Sequence, residues 1–167
     1  MVMVIPPRLQ FFGNLVIFQL CWLACVVGGN LWAFAALPVL ILWHRWLLKP
    51  GELMLLAGVT LLGVAVDSVF QAVGWLQFPE HYSWLIPPWL MILWLAFATT
   101  LRHSLEWLMR HPGWAALLGL AGAPWSYFAG AQLGAVDIQL TGYIAIAVFW
   151  ALLLGLLSWQ EKQKCVA

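Results

Sequence analysis

Asp67 is the one carboxyl set deep inside a long apolar stretch, with Val64, Ala65 and Val66 before it and Val69 and Phe70 after it. Placing a carboxylate in the middle of a bilayer costs about 2.5–3.5 kcal/mol on insertion scales. The side chain must therefore turn toward other helices, where it finds a hydrogen-bond donor or serves a bound molecule as acid or base. Thr60, Gly63, Gln71 and Gly74 recur with it at helical spacing and make one small, polar stripe. Asn14 belongs to a second stripe with Gln10, Cys21 and Cys25. Ser126 and Tyr127 follow Pro124, whose ring removes one backbone hydrogen bond and leaves an opening that a hydroxyl can fill. Asp67, Gln71, Asn14, Ser126 and Tyr127 together make a candidate intramembrane polar pocket. The plainer reading of the same residues is interhelical glue, since hydrogen bonds between membrane helices average about 0.6 kcal/mol.

A different chemistry is suggested where Thr99, Thr100, Arg102, His103 and Ser104 follow an apolar stretch. A guanidinium and an imidazole at the depth of lipid headgroups could hold a phosphate or carboxylate, so Arg102 and His103 are candidate headgroup contacts. The bland alternative is a cationic anchor in which Arg102 pairs with Glu106 along a helix. His44, His81, His103 and His111 are scattered over loops, and Cys21 and Cys25 have no histidine or acid on their own stretch to complete a ligand set. No metal and no cofactor is expected, and the two cysteines read as small packing residues. A phosphate-cradling glycine loop, a metalloprotease His-Glu pair and a nucleophile elbow are all missing, so no catalytic residue is assigned.

The elements that must position these residues follow from composition. The 167 residues are 65% hydrophobic and only 8% charged, too few charges to clothe a water-facing surface. A net charge of +1 without a basic run excludes nucleic acid as a natural partner. Alternating strands of the kind a membrane barrel needs are absent, so the expected fold is all-α, a single integral membrane bundle of about six transmembrane helices. The run from Leu9 to Trp43 lacks any charge and as one helix would reach about 50 Å, well beyond a hydrocarbon core of about 30 Å. It must fold back, and Gly28-Gly29-Asn30 is its strongest breaker. The expected spans are 10–28, 31–47, 53–77, 88–108, 114–135 and 139–159.

With those spans all seven Lys and Arg residues (Arg8, Arg45, Lys49, Arg102, Arg110, Lys162 and Lys164) fall on one face. Random allotment to two faces would do this about once in sixty trials, and cations accumulate in cytoplasmic loops, so both termini are expected to be cytoplasmic. Most tryptophans fall near expected span ends, as interfacial rings do, whereas Trp22, Trp94, Trp125 and Trp150 are expected to pack between helices. A lipoprotein-type cleavage site at Trp22-Leu23-Ala24-Cys25 is disfavoured by Trp22 and by the length of the apolar stretch.

Asp67-Ser68, Pro87-Pro88-Trp89, the segment Leu93 to Leu101 and the segment Gly122 to Gly130 carry a resemblance. Over most of its length the chain resembles a family of small bacterial inner-membrane proteins known as domain of unknown function 2878. The resemblance implies a bacterial cytoplasmic-membrane location, a multi-helix fold and genomic proximity to fatty-acid-modifying enzymes, with no activity or catalytic residue to carry over. The leading expectation is a lipid- or fatty-acid-associated enzyme or accessory protein, binding a lipid or small apolar ligand. One alternative is a proton-coupled carrier working through Asp67. Another is a non-catalytic assembly partner using Gly130 and Gly134, four residues apart, as a helix-packing face. Reporter fusions at Lys49 and at Arg110 should both report the cytoplasm; either one reporting the outside would overturn the expected orientation.

Overall fold

The charge-free run that begins the chain does fold back, and the reason is local. Helix α1 covers Pro7–His44, and within it Gly29 leaves helical geometry at φ 57° and ψ −147°. That conformation suits a residue without a Cβ. A straight helix would put Gly13 and Trp43 about 45 Å apart, yet a methyl group on Gly13 would sit inside the Trp43 ring. Cys21, Leu40 and Ala96 form a buried core beside Ile17 and Ala36, again pairing residues placed evenly on either side of Gly29.

The computed structural model describes residues 6–80 and 84–164, without the Lys164 side chain; His81 and Cys165 lie outside these. After α1 come α2 (Glu52–Ala72), β1 (Leu76–Gln77), α3 (Pro88–Ala98), one 3-10 turn (Leu108–Arg110), α4 (Pro112–Gln132), β2 (Asp137–Ile138) and α5 (Leu140–Lys164). Among the described residues the fold is all-helical apart from these two short strands. Helices α1, α2 and α5 are long and apolar enough to cross a membrane, and large apolar side chains such as Leu31, Leu61 and Leu140 lie 78%, 69% and 77% exposed. Such surfaces belong in lipid rather than water.

Two compact units divide the chain. The first holds α1, α2 as far as Val64, and Pro87–Leu105; the second holds α2 from Ala65 through Ile86, and everything from Glu106 onward. In the first unit the two asparagines of the sequence secure the two ends of α3. Asn30 Oδ1 accepts the Trp89 N–H at 3.0 Å, satisfying a donor that a helix start leaves orphaned. At the other end Asn14 Nδ2 donates to the Thr99 carbonyl at 3.2 Å. Trp94 packs against Gly63, where no larger residue would fit.

Helix α3 is shorter than expected. It stops at Ala98, and the residues up to Trp107 form turns instead of continuing to 108. The Thr99 carbonyl would accept from residue 103 in a continuing helix, but Asn14 occupies it, and the His103 N–H turns to Thr100 O. The Thr99 and Thr100 hydroxyls also bond back to Ala96 O and Phe97 O, a side-chain competition that weakens helix continuation. Likewise α2 ends at Ala72 rather than 77.

In the second unit α4 lies on α5 through small residues. Ala115, Gly119 and Ala123 recur every four positions and are buried, and a Cβ on Gly119 would collide with the Trp150 carbonyl oxygen. Close backbone approach is how membrane helices gain packing energy without a hydrophobic drive. Trp94 and Trp150 pack inward as expected, whereas Trp125 is 71% exposed, because it projects from a different side of α4 than the small-residue stripe. Gly119→Ala should therefore destabilise the protein by about 1–3 kcal/mol through overpacking. Gly58→Ala, where nothing lies within 4 Å, should be neutral or stabilise by up to about 1 kcal/mol. Unfolding in mixed micelles measures both.

Candidate functional site

Helices α2 and α4 end in the same way. Gly74 and Gly134 adopt the left-handed conformation at φ 80° and 79°, where a Cβ would be strained. Gly74 N–H reaches Gln71 O and Trp75 N–H reaches Phe70 O; Gly134 and Ala135 repeat this with Ala131 O and Gly130 O, all at 2.9–3.0 Å. This is the Schellman arrangement, which satisfies the carbonyls left free at a helix end. Each glycine is followed by a two-residue strand, and the strands pair antiparallel, Leu76 opposite Ile138 and Gln77 opposite Asp137. The two helix ends are thereby tied at one level.

Asp67 and Tyr127 each precede their terminating glycine by seven residues, about 10 Å down the helix. They are consequently level with one another, and the Tyr127 phenol donates to Asp67 Oδ2 at 2.6 Å. Asp67 is fully buried, while Tyr127 is half-buried. A hydroxyl-to-carboxylate bond this short lies in the charge-assisted range. Gln71, one turn beyond Asp67 on the same face of α2, and Ser126 are half-buried in the same unit. An open cleft of about 550 Å³ lies at the strand-bearing end, lined by Gln77, Phe78, Gln132, Asp137 and Tyr143 among others. Ala131 also lines it, one turn beyond Tyr127 on α4.

The fifth pocket candidate, Asn14, belongs to the first unit. Its Oδ1 accepts the Ser104 hydroxyl at 2.6 Å and the Ser104 N–H at 3.3 Å, in addition to its bond to Thr99. Of the two headgroup candidates, Arg102 donates to the Pro50 carbonyl at 2.9 Å. His103 is buried, with Nε2 2.8 Å from Glu52 Oε1. Glu106 pairs with Arg110 at 2.7 Å, an exposed i,i+4 contact that contributes little. Gly134, read as half of a packing pair with Gly130, lies beyond the end of α4 as its terminator; Gly130 is buried within the helix. The expected spans 31–47 and 53–77 leave Glu52 in the connection between them. Its place at the start of an apolar stretch, just after Pro50-Gly51, was the available signal of a helix-start carboxylate.

The family model described as "Protein of unknown function (DUF2878)" matches residues 11–156. No curated protein and no solved structure matches the chain. The Asp67–Tyr127 bond generates its own test. In a double-mutant cycle of Asp67→Ala and Tyr127→Phe, unfolding in mixed micelles should give a coupling energy of about 0.6–1.7 kcal/mol; additive losses would mean that the bond adds nothing.

Proposed function

The chain belongs to the DUF2878 family of unknown function, and on that premise we propose that it is a multi-pass inner-membrane protein that binds a lipid or fatty-acid-derived molecule and supports its modification. In this reading the chain crosses the bilayer six times, because α1 counts as two spans on either side of Gly29, and both termini lie on the cytoplasmic side with the cations. The observation that carries the proposal is the hydrogen bond from Tyr127 to the buried Asp67, one helical turn from an amphipathic cleft. The cleft offers amide, carboxylate and phenol groups beside Phe78, Val136 and Ile138, a mixture that suits a molecule with a polar head and an apolar chain. With its proton donated to Asp67, the Tyr127 oxygen is the acceptor left for such a molecule, and Asp67 holds the phenol in place. Apolar outer faces give a ligand dissolved in the bilayer direct access to the protein.

A carboxyl held by a phenol in apolar surroundings also supports the second reading, a carrier that couples transport to protonation of Asp67. The two separate on one comparison. Deleting the gene in its native host should alter the membrane lipid profile. Wild-type protein should restore it, whereas Tyr127→Phe and Asp67→Asn should each restore it less than about one-tenth as well, the usual span for loss of an acid–base group being a factor of 10²–10⁴. A lipid profile identical to the parent's under several stresses would sink the lipid reading and leave the carrier.

A further inference from the structure

The second buried polar cluster of the chain lies in the first unit and takes no part in the function proposed above. His44, the last residue of α1, Glu52, the first of α2, and His103, in the turns after α3, converge there. All three are buried, at 6%, 0% and 7% exposure. Glu52 Oε1 lies 2.8 Å from His103 Nε2 and 3.7 Å from His44 Nε2. The two imidazoles meet edge to face with centroids 5.2 Å apart, and the three donor atoms lie within 4.8 Å of one another.

Ordinary packing does not account for His44. Both its ring nitrogens are buried without a hydrogen-bond partner among the described residues, a costly state for a polar ring unless something else engages it. The surrounding contacts hold the cluster in shape. Glu52 Oε2 accepts the Lys49 N–H at 2.7 Å, which fixes the carboxylate at the start of α2 and leaves Oε1 aimed at the imidazoles. Lys49 Nζ donates to Arg102 O at 2.5 Å, and Arg102 donates to Pro50 O at 2.9 Å, so the segments bearing Glu52 and His103 are tied together twice. Metal ligands are oriented in this manner by neighbours that do not touch the ion.

We propose that His44, Glu52 and His103 form a binding site for a divalent first-row transition metal of the zinc or ferrous-iron class. Two imidazoles and one carboxylate are the donor set of such ions, whereas calcium and magnesium prefer oxygen alone. Tetrahedral ligands at about 2.0–2.2 Å from zinc stand roughly 3.3–3.6 Å apart, so side-chain shifts of about 1 Å would place the three donors around one ion. Three protein donors leave a coordination position for water or a ligand, the arrangement of reactive rather than purely structural sites. One carboxylate with two neutral imidazoles gives a site charge of −1, which a divalent ion more than neutralises.

The test uses the full chain purified in detergent, stripped with a chelator, loaded with Zn²⁺ or Co²⁺, and dialysed before metal analysis. The expected result is one equivalent of Zn²⁺ retained per chain, with Co²⁺ giving the visible absorption of nitrogen and carboxylate coordination. In Glu52→Gln and His103→Gln retention should fall at least about tenfold. Because the amide introduced by His103→Gln could still hydrogen-bond to Glu52, a cluster held by hydrogen bonds alone would survive that change. Wild-type protein that retains neither ion, or variants that retain as much as wild type, would overturn the proposal. The wild-type measurement stands even where a variant fails to fold.

Discussion

Among apolar helices a polar side chain cannot fall back on water, and most of the buried ones among the described residues bond to a segment distant along the chain. That constraint organises both units. In the first, Asn14 joins the early part of α1 to Thr99 and Ser104, and Asn30 meets the start of α3. In the second, Ser158 donates to Met109 O at 2.8 Å and Ser68 accepts the Ile86 N–H at 3.2 Å, so the turn and loop ends are held by side chains of the long helices. The Asp67–Tyr127 bond is one more instance of the same rule, distinguished by the charge it can carry.

Small residues supply the second half of the architecture. Gly63 beneath Trp94 and Gly119 beneath the Trp150 backbone allow approaches that no larger side chain would permit. Left-handed glycines stop α2 and α4 in matching fashion and pass the chain into strands that pair. The depth at which a polar residue meets its partner is then a matter of counting back from a terminator. A change at Gly74 or Gly134 would act on the site through the helix ends, without touching Asp67 or Tyr127.

The two polar clusters differ in chemical character. Asp67 and Tyr127 offer a proton and a place to put it, one turn from a cleft of mixed polarity. His44, Glu52 and His103 offer three lone-pair donors with nearly all their surface buried. Each lies within one compact unit, so each can be assembled by the packing of that unit alone.

Much of the molecule was legible from local chemistry along the chain: apolar length, the absence of charges, and glycine and proline at the breaks. These are sufficient for an all-helical membrane protein, for the fold-back at Gly29, and for Asp67 as a residue in need of a partner. The identity of that partner, 60 residues away, came only with the packed structure, since periodicity shows which face a residue occupies but not which helix it meets. The same holds for the end of α3. Nothing near Thr99 in the sequence announces that Asn14 will take its carbonyl, and the expected helix to 108 was too long for that reason. His44 and His103 look scattered in linear order because their proximity depends on α1 folding back and on the ties among Lys49, Pro50 and Arg102. Local sequence selects the elements; which of their polar groups become neighbours depends on close packing between segments distant along the chain.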